Sequence, residues 1–314
     1  MSIFAVLISL PGSLAAQAPC DLLEACHNPS SCPLLSKPPP EVFDTTFTTT
    51  AGVFTIRAFT EWAPPYAKRF WQLGLLKYMV GAPFYRVDRI NATAGWVAQF
   101  GYSGDPVIDT CWEEKMTLNS TWSVQPPGNI QGAVSFSMDA VHPSPKYPNC
   151  SSSDYCAQGF STNIFINYQN NSALLDPPAF SPFGIVLPPG MDVVNALYAG
   201  YGEVTELCPE GSASSGSRRP DIFCRGRGER CQGVDMELLL KEGHAYLQRE
   251  KSKLDAILDV RVEPVAVPTV RNSKVAASRF RLLADEETAQ AANEPHDARG
   301  ASRGAWYPKD EIRL

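Results

Sequence analysis

The sequence predicts a mainly β domain, a small barrel or sandwich that also carries two or three helices. Several short apolar runs are separated by Gly, Pro and Asn, which is typical of strands joined by tight turns. A Thr-rich hairpin pattern opens at Phe43, whereas few stretches have helical periodicity. Hydrophobic residues make up 44% of the 314 positions, which is enough for a sizeable core.

The N-terminal residues predict an exported protein. Residues 3–16 are apolar and residues 16–18 read Ala-Gln-Ala, so we expect a signal peptide over 1–18. No Lys or Arg precedes Lys37, which leaves a frayed apolar terminus or a misassigned start codon as the alternative. Residues 19–44 contain three cysteines and six prolines, and they predict a Cys/Pro-rich linker.

The elements that follow are predicted from periodicity and turn residues. Residues 43–59 predict two strands with a turn at 51–52, and a helix is expected to begin at Pro64. The apolar face of that helix has three- and four-residue spacing: Tyr66, Phe70, Leu73 and Leu76. Further strands are expected over 84–87, 95–100, 133–138, 163–168 and 183–186. Helical patterns return over 191–197 and 234–258, and three stretches resemble insertions: 102–129, 142–159 and 209–233.

Charge and cysteine content narrow the classes of function. With 27 basic and 33 acidic residues and no basic stripe, we expect no nucleic-acid binding. No run reaches the ~18 apolar residues of a membrane span, and the absence of CxxC and HxxxH spacings argues against structural zinc. Nine cysteines and four glycosylation sequons predict disulfides and a secreted or lumenal protein. The odd count leaves at least one thiol free or paired between chains, and the pairing stays open.

Specific motifs go further than composition. Residues 84–87 (Phe-Tyr-Arg-Val) and 95–101 (Gly-Trp-Val-Ala-Gln-Phe-Gly) resemble the signature of the cyclophilins. Other blocks resemble the family's segments in the same order: 52–56, 63–76, 132–138, 161–166, 175–184 and 190–194. The resemblance covers about residues 45–205. Residues 242–247 (Glu-Gly-His-Ala-Tyr-Leu) are similar to a helix in a divergent branch of the family, which extends the domain to 263.

The resemblance implies a fold and a domain organisation. The implied fold is a closed eight-stranded antiparallel β-barrel capped by two helices, with an additional C-terminal helix. The domain would occupy residues 45–263 and include insertions. Residues 264–314 are rich in Ala, Arg, Glu and Asp without a sustained apolar stripe, and we expect a disordered tail there.

The resemblance also implies peptidyl-prolyl cis-trans isomerase activity, without a cofactor, on proline-containing polypeptides. Arg86 would be the electrostatic catalyst and Gln99 would orient it. The residues that correspond to the family's substrate-binding positions are Trp96, Val97, Ser137, Met138, Asp139, Ala140, Asn163, Phe165, Leu175 and Phe180. We expect a monomer that assists folding in the secretory pathway, where proline isomerisation limits folding rates.

Departures from the family pattern keep two alternatives open. Tyr85 replaces the family's His and Val97 its Met, and Asn163 stands where the family has Gln, so we expect a slower or narrower enzyme. The first alternative is a non-catalytic module that binds proline-containing segments, and the second is a Cys-rich structural domain. Catalysis requires the Arg86 guanidinium beside an apolar pocket. If the guanidinium lies far from any such pocket, or is buried against an internal carboxylate, the catalytic interpretation fails and an exported barrel of unknown function remains.

Overall fold

The computed structural model describes residues 20–91, 94–205 and 233–266. The expected signal peptide, Cys208, Cys224, Cys231 and all but the first residues of the expected tail lie outside these ranges. None of the helices in the described ranges has the length and apolarity needed to cross a bilayer.

Eight strands of the described chain form one antiparallel sheet that curves as a half-barrel. In chain order, the strands are β1 (Val42–Thr49), β2 (Gly52–Phe59), β3 (Arg86–Asn91), β4 (Ala94–Phe100), β5 (Ala133–Phe136), β6 (Asp139–Val141), β7 (Cys156–Gln158), β8 (Ile164–Asn167), β9 (Gly184–Val186) and β10 (Ile257–Pro264). The order across the large sheet is β10-β1-β2-β9-β5-β8-β4-β3, and β6 pairs with β7 in a separate two-stranded sheet.

The two edges of the large sheet approach each other at one end. An isolated bridge joins Pro83 to Ala256, just before β3 and β10 begin, and the Phe84 amide donates to the Asp255 carbonyl at 2.9 Å. No ladder joins β3 to β10 among the described residues. The expected antiparallel eight-stranded architecture is therefore confirmed, but full closure of the barrel is not.

The helices that cover the sheet are short. They are α1 (Leu22–His27), α2 (Pro33–Ser36), α3 (Pro64–Leu75), α4 (Pro106–Lys115), α5 (Ser172–Leu175), α6 (Gly190–Ala196), α7 (Met236–Glu242) and α8 (His244–Glu250). Helix α3 begins at Pro64 as predicted, and its four predicted core positions are all buried. Aromatic rings fill the interior: Phe47 stacks on Phe54 with centroids 5.1 Å apart and meets Phe100 edge-on at 5.7 Å.

Two regions differ from the sequence prediction. Part of the expected linker forms α1 and α2. The Cys20–Cys32 disulfide closes a loop within this segment, and the Cys26–Cys111 disulfide attaches it to α4 of the domain. The single C-terminal helix expected over 234–258 is divided into α7 and α8 at Gly243, whose φ of 54° interrupts a helix, and β10 follows. The third described disulfide joins Cys150 to Cys156.

Candidate functional site

Four strands align the central candidate residues in one row. Arg86 on β3 lies opposite Gln99 on β4, Gln99 lies opposite Phe165 on β8, and Phe165 lies opposite Ser135 on β5. Directly opposed residues of antiparallel strands project from the same face of a sheet, so these four side chains share a face. The alternate residues of β4, Ala98 and Phe100, are buried in the main core. The fold thus brings together an arginine, a glutamine and an aromatic residue from distant parts of the chain.

Hydrogen bonds connect the polar members of the row. Arg86 donates from Nη1 to Oε1 of Gln99 at 3.1 Å, and Gln99 donates from Nε2 to the Ser137 hydroxyl at 3.0 Å. Arg86, Gln99 and Ser137 are all buried. Gln99 therefore fixes one edge of the guanidinium, and Ser137 fixes Gln99 in turn.

An apolar group lies along the row. Phe165 packs edge-on against Phe180, with ring centroids 6.1 Å apart, and both rings are buried. Val97 lies two residues before Gln99 on β4, and the Leu175 carbonyl accepts from the Phe180 amide at 3.0 Å. Val97, Leu175 and Met138 are buried as well. These side chains form a buried apolar group beside the polar row, and burial of their apolar area stabilises this part of the fold.

The remaining predicted residues are placed unequally. Asn163 is buried, accepts from the Tyr85 hydroxyl at 3.1 Å and donates to Glu113 of α4 at 3.2 Å. Trp96 is half-buried at the start of β4. Asp139 is exposed and Ala140 half-buried, because both belong to β6 in the separate two-stranded sheet. The structure thus brings most of the predicted substrate-binding residues together and leaves these two strand residues outside the row.

The guanidinium of Arg86 has a second partner that the sequence reasoning missed. Glu203, which follows α6, accepts from Nη2 through Oε2 at 2.8 Å, and its Oε1 lies 2.6 Å from Nε. The contact between Oε1 and Nε is close enough for an ion pair, but it lacks the geometry of a hydrogen bond. Both side chains are buried. Arg86 is thus buried against an internal carboxylate, the arrangement under which the catalytic interpretation fails, in the conformation described.

A second buried carboxyl group, that of Asp88, interacts with the Arg86–Glu203 ion pair. Burial acts to lower the pKa of Arg86, but the charge and hydrogen bonding of Glu203 outweigh burial, and the pKa is raised. Burial, reinforced by the charge of Glu203, raises the pKa of Asp88 from 3.8 to about 7. Asp88 Oδ2 has no hydrogen-bond partner among the described residues. One cation is thus shared between two buried carboxyl groups.

A buried amide network supports the apolar group. Asn129 donates from Nδ2 to Asp176 at 2.7 Å and to the Phe180 carbonyl at 2.6 Å, while its Oδ1 accepts from the Ser135 hydroxyl at 2.9 Å. Asn171 donates to the carbonyl of Trp96 at 3.0 Å. These bonds fix the segment that carries Phe180 to the sheet. The only sequence signal was that Asn129 precedes a predicted strand, which did not distinguish it from a turn residue.

No group of His, Cys, Asp and Glu side chains in the described ranges is placed to hold a metal ion. Comparisons with models of known families and with curated protein sequences find no match.

Comparison with solved structures finds cyclophilins, the family that the sequence motifs resemble. A cyclophilin-type peptidyl-prolyl cis-trans isomerase of Cryptosporidium parvum is 14% identical, and the match covers 72% of this chain and 99% of that one at a TM-score of 0.38. The Mimivirus cyclophilin is 16% identical over 53% of this chain and 87% of its own, with a TM-score of 0.37. Cyclophilin AquaCyp293 of Hirschia baltica is 14% identical over 72% and 96%, with a TM-score of 0.29. Identities and TM-scores this low do not assign a function to this chain.

Proposed function

We propose that this chain is a peptidyl-prolyl cis-trans isomerase of cyclophilin type and that the row of Arg86, Gln99 and Phe165 is its site. One observation carries the proposal. Arg86 and Gln99 lie opposite each other on the neighbouring strands β3 and β4, and Phe165, from a distant part of the chain, lies opposite Gln99 on β8 with Phe180 packed beside it. This alignment supports the proposal over a chance motif match in a Cys-rich structural domain.

The chemistry of prolyl rotation fits such a set of residues. Rotation about the X–Pro bond must overcome about 18–20 kcal/mol, because amide resonance is lost in the twisted state. The reaction needs no covalent intermediate, so a site accelerates it by binding the twisted amide more tightly than the planar one. Arg86 supplies a permanently charged planar donor group, and the apolar group of Phe165 and Phe180, which is buried in this conformation, would take up the pyrrolidine ring once exposed.

The contact with Glu203 opposes this mechanism, because it buries the guanidinium against an internal carboxylate. Catalysis by Arg86 requires a conformation in which Glu203 has released it. In the conformation described, Nε and Nη2 of Arg86 face Glu203 and Nη1 faces Gln99. A substrate carbonyl must therefore replace Glu203 or use the remaining N–H groups of the guanidinium. This restriction favours a second candidate function, a non-catalytic module that binds proline-containing segments through the apolar group.

The experiment that separates the two functions is a protease-free isomerisation assay on an Ala-Ala-Pro-Phe peptide. The proposed enzyme accelerates exchange above the spontaneous rate, and Arg86→Ala lowers kcat/KM by about 100-fold, the scale seen when an electrostatic donor is removed. Arg86→Lys, which keeps the charge, retains part of the activity. Arg57→Ala on β2 breaks an ion pair with Asp44 outside the row and serves as the matched control.

Three outcomes are informative. Wild-type acceleration that survives Arg86→Ala refutes the role of Arg86. A wild-type rate equal to the spontaneous rate, with the peptide still bound, refutes the enzyme and leaves the binding module. A wild-type protein that neither binds the peptide nor accelerates its isomerisation refutes the site as a whole.

The setting that we propose is the secretory pathway. Three disulfides join described cysteines, which is compatible with an oxidising compartment, where proline isomerisation accompanies disulfide formation. Partial proteolysis and mass mapping of the exported protein test this: disulfide-linked peptides are expected, and free thiols at all six positions would contradict it.

A further inference from the structure

The chain segment that delivers Glu203 to Arg86 is held from outside the sheet. Val204 is buried in a small apolar cluster that is separate from the main core and that includes Tyr85, the neighbour of Arg86. The other buried members of this cluster are Tyr102, Val234, Leu239, Tyr246 and Leu247. Most of them come from α7, α8 and the residues just before α7. These two helices, here called the α7–α8 hairpin, therefore pack together with the chain segment around Glu203, next to Tyr85, which directly precedes β3.

Backbone hydrogen bonds fix both parts in place. The Thr205 amide donates to the Val234 carbonyl at 3.1 Å, and the His244 amide at the start of α8 donates to the Gly104 carbonyl at 3.0 Å. At the other end of the segment, the Tyr198 amide donates to Asp255 at 2.7 Å. The Glu203 side chain thus reaches Arg86 from a segment tethered at both ends.

The middle of the segment has open space at one position and is packed at others. Gly202 has a φ of 66°, and a Cβ built on it meets nothing within 4 Å. The rings of Tyr198 and Tyr201 meet edge-on with centroids 5.1 Å apart, and the Glu203 backbone lies so close to Gly233 that a Cβ there would clash with it. Release of the segment must therefore break these contacts as well as the contact with Arg86.

The Glu203 carboxylate takes the place on the guanidinium that a substrate carbonyl would need. The Glu203 carboxylate offers the guanidinium both a hydrogen bond and an opposite charge, whereas a neutral prolyl carbonyl offers a hydrogen bond alone, so the carbonyl competes poorly for the same N–H groups. Charge complementarity alone thus favours the conformation in which the arginine is covered.

We propose that residues 198–205 form an intramolecular cap, latched by Glu203 on Arg86 and anchored by Val204 to the α7–α8 hairpin, which must release before a proline-containing peptide engages the arginine. This inference rests on the proposed function, since it assigns a regulatory contact to the same site. It predicts that weakening the latch increases peptide turnover.

The test compares Glu203→Gln with wild type in the isomerisation assay and in a peptide-binding titration. Glu203→Gln keeps the shape and an acceptor oxygen but removes the charge. We expect about a tenfold rise in kcat/KM, mostly through a lower KM, because an ion pair is exchanged for a hydrogen bond from the cation to a neutral oxygen. Val204→Ala weakens the anchor without touching either charged group, and we expect a rise in the same direction.

Glu242→Gln is the matched control. Glu242 forms an ion pair with Arg249 at 2.8 Å on the surface of the same hairpin, away from Arg86. We expect this variant to keep wild-type kinetics. Circular dichroism melting of each variant checks that the fold is retained, and Val204→Ala keeps the test decisive if Glu203→Gln melts early.

The outcomes separate the cap from the enzyme. If wild type is active and the kcat/KM of Glu203→Gln or Val204→Ala is equal to or below that of wild type, the cap is overturned and the isomerase remains. Glu203 then only positions Arg86. Tighter peptide binding by Glu203→Gln with no catalysis by any variant supports the cap and overturns the isomerase. Neither binding nor catalysis in any variant overturns both.

Discussion

Replacing Asp88 by Asn is expected to make the protein more stable at neutral and alkaline pH. Asp88 is buried near Glu203 and Arg86, and its Oδ2 lacks a hydrogen-bond partner among the described residues. Burial, followed by the charge of Glu203, raises its pKa from 3.8 to about 7, while Arg86 acts in the opposite direction. The folded protein therefore binds this proton more tightly than the unfolded chain does.

The magnitude and the pH window follow from that difference. Below about pH 4 the carboxyl is protonated in both states and has no effect on stability. As the pH rises from about 4 to 7, the unfolded chain loses its proton first, so the free energy of unfolding falls by a total of about 4 kcal/mol. Above pH 7 the penalty is constant. Asn cannot ionise, so the stability difference between the variant and wild type should grow across this window.

Urea unfolding followed by tryptophan fluorescence, at half-unit pH steps from 4.5 to about 8.5, measures this difference. Asp259→Asn is the control, because Asp259 is half-exposed and its hydrogen bond to Lys77 lowers its pKa. Asp259 is ionised in both states above about pH 4, so the stability difference between that variant and wild type should stay constant across this window. A difference for Asp88→Asn that does not change with pH would refute the reasoning.

Three further perturbations have defined outcomes. Replacing Cys26 and Cys111 together by Ser should lower the free energy of unfolding by about 4–5 kcal/mol in non-reducing denaturation, because the disulfide closes a separation of 85 residues; an unchanged midpoint would contradict this. Asn129→Ala should cost about 3 kcal/mol, since it leaves several buried groups unpaired, and should also raise the peptide KM; a loss of stability alone would restrict Asn129 to folding. Gly101→Ala should destabilise far more than Gly202→Ala in thermal melts, because a Cβ at Gly101 would clash with the Thr162 carbonyl while the one at Gly202 meets open space; similar melts would refute this.

Much of the sheet could be predicted because its signals are local. The β1–β2 hairpin alternates Thr with apolar residues around a short turn, and α3 combines a proline start with a regular apolar face. Both patterns can be recognised without knowledge of the rest of the chain. The row of Arg86, Gln99 and Phe165 was predicted from resemblance, and strand register explains how these residues come together.

Other elements were missed because tertiary contacts decide them. Strand β10 was missed. The predicted helix ended at 258 and overlapped only the first residues of the strand, whose pairing with β1 joins residues far apart in sequence. Helix α4 lies in a polar stretch that was interpreted as an insertion, although Asp105 caps its start. The Arg86–Glu203 contact joins residues 117 positions apart, and a single sequence has no local signal for such a pair.

A chemical-shift map of the labelled protein with an Ala-Ala-Pro-Phe peptide tests the central claim most directly. If the residues of the row on β3, β4 and β8 catalyse prolyl isomerisation, the peptide should shift the amide signals of Gln99 and Phe165. It should also displace the Arg86 side-chain Nε–H signal from its Glu203-bound position. The peptide itself should show cis–trans exchange faster than the free peptide does. Peptide-induced shifts confined to the exposed apolar residues Leu118 and Trp122, or no shifts at saturating peptide, would contradict the claim.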